Sequence, residues 1–510
     1  MNDSPHSVTT DKATETKRAI VIGSGFGGLA LAIRLQAAGI PTLILEARDK
    51  PGGRAYVYEQ DGFRFDAGPT VLTAPGVIDD LFTAGGKRRE DYIQFETLSP
   101  FYRLMWQDGT EFDYVGDEAE LEAAIAEFSP DDLDGYRRFR EYSRDVYKEG
   151  YEKLAHVPFL DIWSMVRAAP NLVKLQSYRS VYSIVARFIK DEKLRQAFSY
   201  HTLLVGGNPF STSAIYALIH ALELKWGVHF PRGGTGALVA ALAKLFQDLG
   251  GELRLNSAVD EILTTANKVT GVRLKDGSTI AADYVASNAD VVHTYKHLLR
   301  TTPPAQKAAR KLVNSDHSMS LFLIYFGVKN NYEHLAHHTI LFGPRYKELL
   351  TDIFDRGVLA DDFSLYLHSP SVTDDSLAPP GYSTHYVLAP VPHLGKGKVD
   401  WETAGPKLRD RILDSLEERC IPELRQNMVT SRIFSPLDFE YNLNAWQGSA
   451  FSLQPTLLQS AWFRVHNRDP RIKGLYFVGA GTHPGAGIPG VVNSARATAG
   501  LMQEEWSKNT

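Results

Sequence analysis

A single cysteine, Cys420, stands in 510 residues. That excludes an internal disulfide and any cysteine-built metal cluster, and it fits a reducing, cytoplasmic setting. Long uncharged apolar runs are missing as well. None reaches the roughly 18 residues a spanning helix needs, and the run Met319 to Val328 reads as a buried strand. There is no basic excess: the net charge is −5, which argues against a nucleic-acid partner. Residues 1–17 are polar and lack an apolar h-region, so they read as a disordered tail rather than a signal peptide. With 44% hydrophobic and 23% charged residues the composition is globular. The length asks for two or three lobes.

What is present begins with a strand-turn-helix-strand unit. Ala19–Ile22 is strand-like, Gly23-Ser24-Gly25-Phe26-Gly27-Gly28 is a glycine turn, Leu29–Ala38 is helix-forming, and Thr42–Glu46 is a second strand. The first glycine permits the tight turn, the second lets backbone approach a pyrophosphate, and the third lets helix and strand pack closely. The helix N-terminus then faces the phosphates. Glu46 is placed to accept ribose hydroxyls and would repel a 2′-phosphate. The turn alone does not separate FAD from NAD. Further turns follow at Pro51-Gly52-Gly53-Arg54, Asp66-Ala67-Gly68-Pro69-Thr70 and Pro231–Gly236, and another glycine-rich loop spans Gly479–Gly490.

Strands are expected at 252–256, 271–274 and 284–287, with a hairpin turn at Asp276-Gly277 between two of them. Residues 319–328, 363–368 and 384–390 suggest a second sheet. Residues 112–150, 186–200 and 403–419 are helix-prone. The glycine elements at start, middle and end predict an α/β fold in which a Rossmann-like FAD-binding domain is assembled from 18–90, 228–300 and 470–510. A β-sheet substrate domain would comprise 91–125 and 301–469, and a helical, membrane-facing lobe 126–227.

Together, Gly23–Gly28, Glu46, Gly52-Gly53-Arg54, Pro231–Gly236 and Gly479–Gly490 closely resemble the bacterial phytoene desaturases, within the FAD amine-oxidase-like superfamily. The resemblance covers about residues 18–505. It implies non-covalent FAD, a peripheral seat on the cytoplasmic face of a membrane, and removal of hydrogens from phytoene, most simply in four steps to lycopene. Electrons would pass to a quinone or oxygen, and a homo-oligomer is allowed. Mapped onto this chain, Gly23, Gly25 and Gly28 hold the pyrophosphate and Glu46 the ribose. Arg54, Gly68, Pro69 and Thr70 lie near the isoalloxazine, and Val259 meets the adenine by its backbone. The loop from Gly481 to Gly490 passes the flavin, and a helix beginning near Val491 points at its pyrimidine end. Gly479-Ala480-Gly481 carries no carboxylate, so a ribitol contact must come from elsewhere. Alternatives within the same fold are a different desaturation count, a carotenoid isomerase, an amine oxidase, or a prenyl-binding escort of the Rab dissociation-inhibitor type without flavin.

Ile162 to Lys190 contains five basic residues, no acid, and several aromatics. This is the composition of a membrane-surface segment. Arg167 and Asp161 are the candidates for acid-base work at the mouth of the substrate lobe. His334, His337 and His338 could share one helical face, but with no carboxylate or cysteine partner apparent, no metal site is expected. His483 stands in the flavin loop, either beside the flavin or as a structural hydrogen bond. Cys420 is too far upstream of that loop to carry a covalent flavin.

Overall fold

A computed structural model describes residues 18–509; the tail expected at 1–17 lies outside them. Its organising element is a five-stranded parallel sheet in the order Glu252–Arg254, Thr42–Leu45, Ala19–Ile22, Tyr284–Ser287, Leu475–Phe477. Strands from the beginning, middle and end of the chain thus meet in one sheet. Ala19–Ile22, Thr42–Leu45 and Tyr284–Ser287 are buried along their whole length, which explains their continuous apolar runs. Helices Phe26–Ala37, Thr235–Asp248 and Ile488–Asn509 cover one face. A three-stranded antiparallel sheet covers the other (Val259–Thr265, Lys268–Leu274, Thr279–Ala281).

A second, seven-stranded sheet runs Met428–Phe434, Ser320–Lys329, Tyr382–Val391, Leu365–His368, His338–Leu341, Tyr102–Met105, Glu111–Tyr114. It is antiparallel except where His338–Leu341 pairs parallel with Tyr102–Met105. Ser320–Lys329 is apolar without alternation because both its faces are covered. Phe322, Ile324, Phe326 and Val328 pack toward helix Trp401–Arg419, while Leu321, Leu323 and Tyr325 face a separate aromatic cluster. The helices Glu118–Phe128, Leu133–Tyr147, Ile162–Lys174, Val181–Phe188 and Leu218–Trp226 fill the region between Tyr114 and the next sheet strand.

Three local expectations change. The Asp276-Gly277 turn joins Lys268–Leu274 to Thr279–Ala281, not to Tyr284–Ser287, because the latter is claimed by the parallel sheet. Residues 111–114 are a strand at the edge of the seven-stranded sheet rather than the start of a helix. His338 opens a strand, so no helical face gathers His334, His337 and His338.

Candidate active site

The carboxyl ends of Ala19–Ile22 and Tyr284–Ser287 open together, the position where ligands sit in parallel α/β sheets. A cavity of about 950 Å³ begins there and continues into the space beneath the seven-stranded sheet. The glycine turn forms its floor. Gly23 has φ +90°, and a Cβ on Gly25 would lie 3.0 Å from Asn288 Nδ2. On Gly28 a Cβ would come within 2.0 Å of the Gly23 carbonyl oxygen. Gly28 therefore lets the helix close on the strand, and unlike Gly23 and Gly25 it does not line the cavity. No side chain caps helix Phe26–Ala37, so its first N–H groups remain available to an anion.

Glu46 is buried at the edge of this floor. Its Oε2 accepts from the Ser24 N–H at 2.8 Å and the Ser24 hydroxyl at 2.6 Å, and its Oε1 from the Arg48 N–H at 3.0 Å. These bonds aim the carboxylate while leaving it acceptor capacity. Val259 lines the same end.

Arg54 provides the test of whether these residues suit a cofactor. Its guanidinium is buried in the cavity wall, with Nε and one terminal nitrogen unpartnered. Burial lowers its basicity, and Asp290 opposes that effect. A buried cation with unmet donors is expensive unless an acceptor completes it. A phosphate or flavin oxygen would do so. Gly68, Pro69 and Thr70 line the cavity on the same side. Their loop is fixed by Asp66, which accepts from the Thr235 N–H at 2.7 Å and the Gly236 N–H at 3.0 Å. Thr70 Oγ1 is bonded to the hydroxyls of Tyr366, at 2.9 Å, and Tyr386.

The C-terminal loop closes the other side. Gly490 and Val491 line the cavity near the start of helix Ile488–Asn509, whose N-terminus comes three residues earlier than expected. Gly481 does not line it; a Cβ there would meet Val291 Cγ1 at 2.6 Å, so this glycine serves packing. His483 makes the structural hydrogen bond and also faces the cavity; its Nε2 bonds the Leu154 carbonyl at 3.1 Å. Cys420 is buried away from this cavity, its thiol pushed up to about 12 by burial.

Beyond the loops the walls turn apolar, with Phe159, Leu203, Ile215, Leu321, Phe342 and Leu388 among them. Met165 and Leu172 of helix Ile162–Lys174 reach the same space. Asp161 and Arg167 do not. Asp161 Oδ1 caps that helix, accepting from the Ser164 N–H at 2.7 Å, and Arg167 reaches back to Ser164 Oγ at 3.3 Å. The two proposed acid-base groups thus lie outside the lining.

Residues not foreseen take their places. Asn288 and Asp290 follow the strand Tyr284–Ser287 and stand beside the glycine turn and Arg54. Glu223, fully buried on helix Leu218–Trp226, lines the apolar part. The legible signals were polar residues directly after a parallel strand, and one acid in the apolar stretch Ala217–Leu224. His334 instead bonds the Cys420 carbonyl at 2.9 Å. His337, His338 and the unforeseen His368 form a buried group with one ring nitrogen of each within 4.8 Å of the others. His338 Nδ1 bonds the Tyr366 hydroxyl at 2.8 Å.

From residue 26 to 503 the chain matches the family described as flavin containing amine oxidoreductase. It is 62% identical over 489 residues to the phytoene desaturase (lycopene-forming) of Pseudescherichia vulneris, covering 96% of this chain and 99% of that protein. The chain belongs to this flavin-containing family, among the phytoene desaturases. The lycopene-forming enzyme of Pantoea ananas is 61% identical with the same coverages. The neurosporene-forming enzyme of Rhodobacter capsulatus is 42% identical over 492 residues, covering 96% and 94%. A putrescine oxidase variant of known structure superposes with a TM-score of 0.63 at 14% identity, covering 97% of this chain and 99% of its own. Rab GDI of Plasmodium falciparum gives 0.55 at 11%, covering 95% and 98%. These two share the fold.

Proposed function

We propose that the chain desaturates phytoene to lycopene in four successive dehydrogenations, using non-covalently held FAD. The observation that carries this reading is the single cavity joining a dinucleotide floor to a long apolar wall. The identity of 62% to a lycopene-forming relative, against 42% to a neurosporene-forming one, supports the step count. Bound FAD supplies a two-electron acceptor, later reoxidised by a quinone or oxygen. Gly23 and Gly25 admit the pyrophosphate, with Gly28 packing beneath them. Glu46 takes the ribose, Val259 borders the adenine, and Asp290 offers the ribitol a carboxylate. Arg54, Gly68-Pro69-Thr70, Gly490 and Val491 surround the ring system. The apolar walls exclude water and align successive single bonds of the polyene.

In this reading 18–90, 228–300 and 470–510 hold the cofactor, 91–125 and 301–469 the substrate, and 126–227 form a helical lobe on the cytoplasmic membrane face. No helix among the described residues is long and apolar enough to cross a membrane. A peripheral seat is supported by Ile162, Trp163 and Val166, exposed at 44%, 66% and 50% on the helix whose Met165 and Leu172 reach the cavity. Leu458, 71% exposed, adjoins the cavity-lining Leu457. A water-insoluble substrate could pass from lipid into the cavity along this rim.

The test is expression in a phytoene-accumulating bacterial host, with pigments extracted and chromatographed. Lycopene is expected. Unchanged phytoene would refute the desaturase reading, and neurosporene would revise only the number of steps.

A further inference from the structure

Glu223 is out of keeping with its surroundings. It lines the cavity and is fully buried, with Tyr102 and His201 against its carboxylate. The Tyr102 hydroxyl donates to its Oε1 at 2.7 Å. Its Oε2 lies 3.1 Å from His201 Nε2, yet neither atom has an aligned hydrogen-bond partner. Tyr200, stacked on His201 with ring centroids 4.2 Å apart, leaves its buried hydroxyl unpartnered beside them. A buried carboxylate is costly unless it is paired and hydrogen-bonded, and here only Oε1 has an aligned hydrogen bond.

Its position relative to the cofactor side is defined by packing. Thr70 bonds Tyr366, Tyr366 bonds His338, and the His338 ring lies 5.8 Å from the Tyr102 ring that holds Glu223. The strand after the Glu223 helix, Val228–Pro231, pairs directly with Leu72–Thr73. Glu223 is thus linked to Thr70 through Tyr102, His338 and Tyr366, and its helix leads into a strand paired with the residues that follow the loop.

We infer that Glu223 is the proton acceptor of the dehydrogenation, which rests on the desaturase reading above. For each new double bond one C–H bond breaks with its electron pair going to the oxidised flavin. The neighbouring carbon then gives up a proton to the Glu223 carboxylate, and the electrons of that C–H bond form the C=C. Until the proton leaves, positive charge on the allylic carbons faces a carboxylate in a dry site, where attraction is strong. Tyr102 holds the carboxylate in place, and His201 stands next in line to receive the proton.

The experiment compares wild type with Glu223→Gln, which keeps the side chain's size. Two quantities are read on the flavin-loaded proteins: the anaerobic single-turnover rate with phytoene, and the affinity for a long-chain tertiary ammonium compound that mimics the cationic carbon. Visible absorbance and melting temperature verify flavin content and folding. The expected result is intact flavin and fold, a rate lowered roughly 100-fold, and ammonium binding weakened about tenfold. A Glu223→Gln rate within threefold of wild type, about 0.6 kcal/mol, would overturn the assignment. So would a lost rate with unchanged ammonium affinity, since Glu223 would then matter only for packing. If Glu223→Gln fails to fold, Glu223→Asp decides. It must retain ammonium binding while losing rate, and full rate or lost ammonium binding overturns the assignment. A wild type that leaves phytoene unchanged refutes the desaturase reading itself, which separates the two failures.

Discussion

Arg54 and Asp290 line the same cavity, near enough that the Asp290 carboxylate supports the Arg54 charge; two nitrogens of the buried guanidinium and the buried Asp290 Oδ2 are unpartnered. The pair is incompletely satisfied by protein alone. In flavin-free protein Arg54→Met removes an ill-compensated buried cation but also the counter-charge of Asp290, so opposing effects should keep the melting temperature close to that of wild type. The same change should weaken FAD binding by about 2 kcal/mol or more, roughly 30-fold. Differential scanning calorimetry and flavin titration read the two effects, and a lowered apo stability with normal FAD affinity would show that Arg54 is structural.

Gly28 gives a sharper steric prediction. A methyl group there would overlap the Gly23 carbonyl oxygen at 2.0 Å, a backbone atom that cannot swing aside. Gly28→Ala should push the helix off the strand and yield colourless protein of reduced stability. Purified variant with a normal flavin spectrum would contradict the packing role.

Acid lability follows from buried histidines outside the cavity lining. Burial holds His337 and His385 down to about 3 and His393 to about 4, against an ordinary 6.5. Between pH 6.5 and 4 the unfolded chain binds protons that the folded one refuses, so stability falls as pH drops through that window. Each group contributes about 1.4 kcal/mol per pH unit there. Asp66, raised to about 6 by burial, acts in the opposite sense between pH 6 and 3.8, but it is one group against three. Denaturant melts at pH 7 and pH 5 should show a large loss of stability at pH 5, reduced in a His393→Gln variant.

The proposed membrane seat predicts two separable contributions, one from charge and one from apolar side chains. Replacing Arg167, Lys174, Arg179, Arg187 and Lys190 by Glu should release the protein from anionic liposomes. Ile162→Ser with Trp163→Ser should weaken binding to neutral ones as well. Unchanged sedimentation of both variants would place the contact elsewhere.

Much of the cofactor half was readable because its signals are local. A glycine turn between an apolar strand and an apolar helix declares itself in a dozen residues, and Glu46 follows on the next strand. The chemistry of the substrate half is not local. Tyr102, His201 and Glu223 come from three separated elements and meet only when the seven-stranded sheet closes over the helices. The reading of Asp161 and Arg167 shows the converse. Asp161 adjoins the basic, aromatic segment and Arg167 lies inside it, yet the side chain of Asp161 is used by its own helix, a role the spacing Asp161 to Ser164 already allowed. The histidines show it too: three of them close together in sequence suit a helix, whereas strand pairing makes His368 the partner of His338.

Desaturation by this protein alone is measured by mixing the purified, FAD-loaded enzyme anaerobically with liposomes containing phytoene. Loss of the oxidised-flavin absorbance is expected, followed, once an acceptor is added, by conversion of phytoene to lycopene on chromatography. Flavin that stays oxidised beside unchanged phytoene would contradict the desaturase reading.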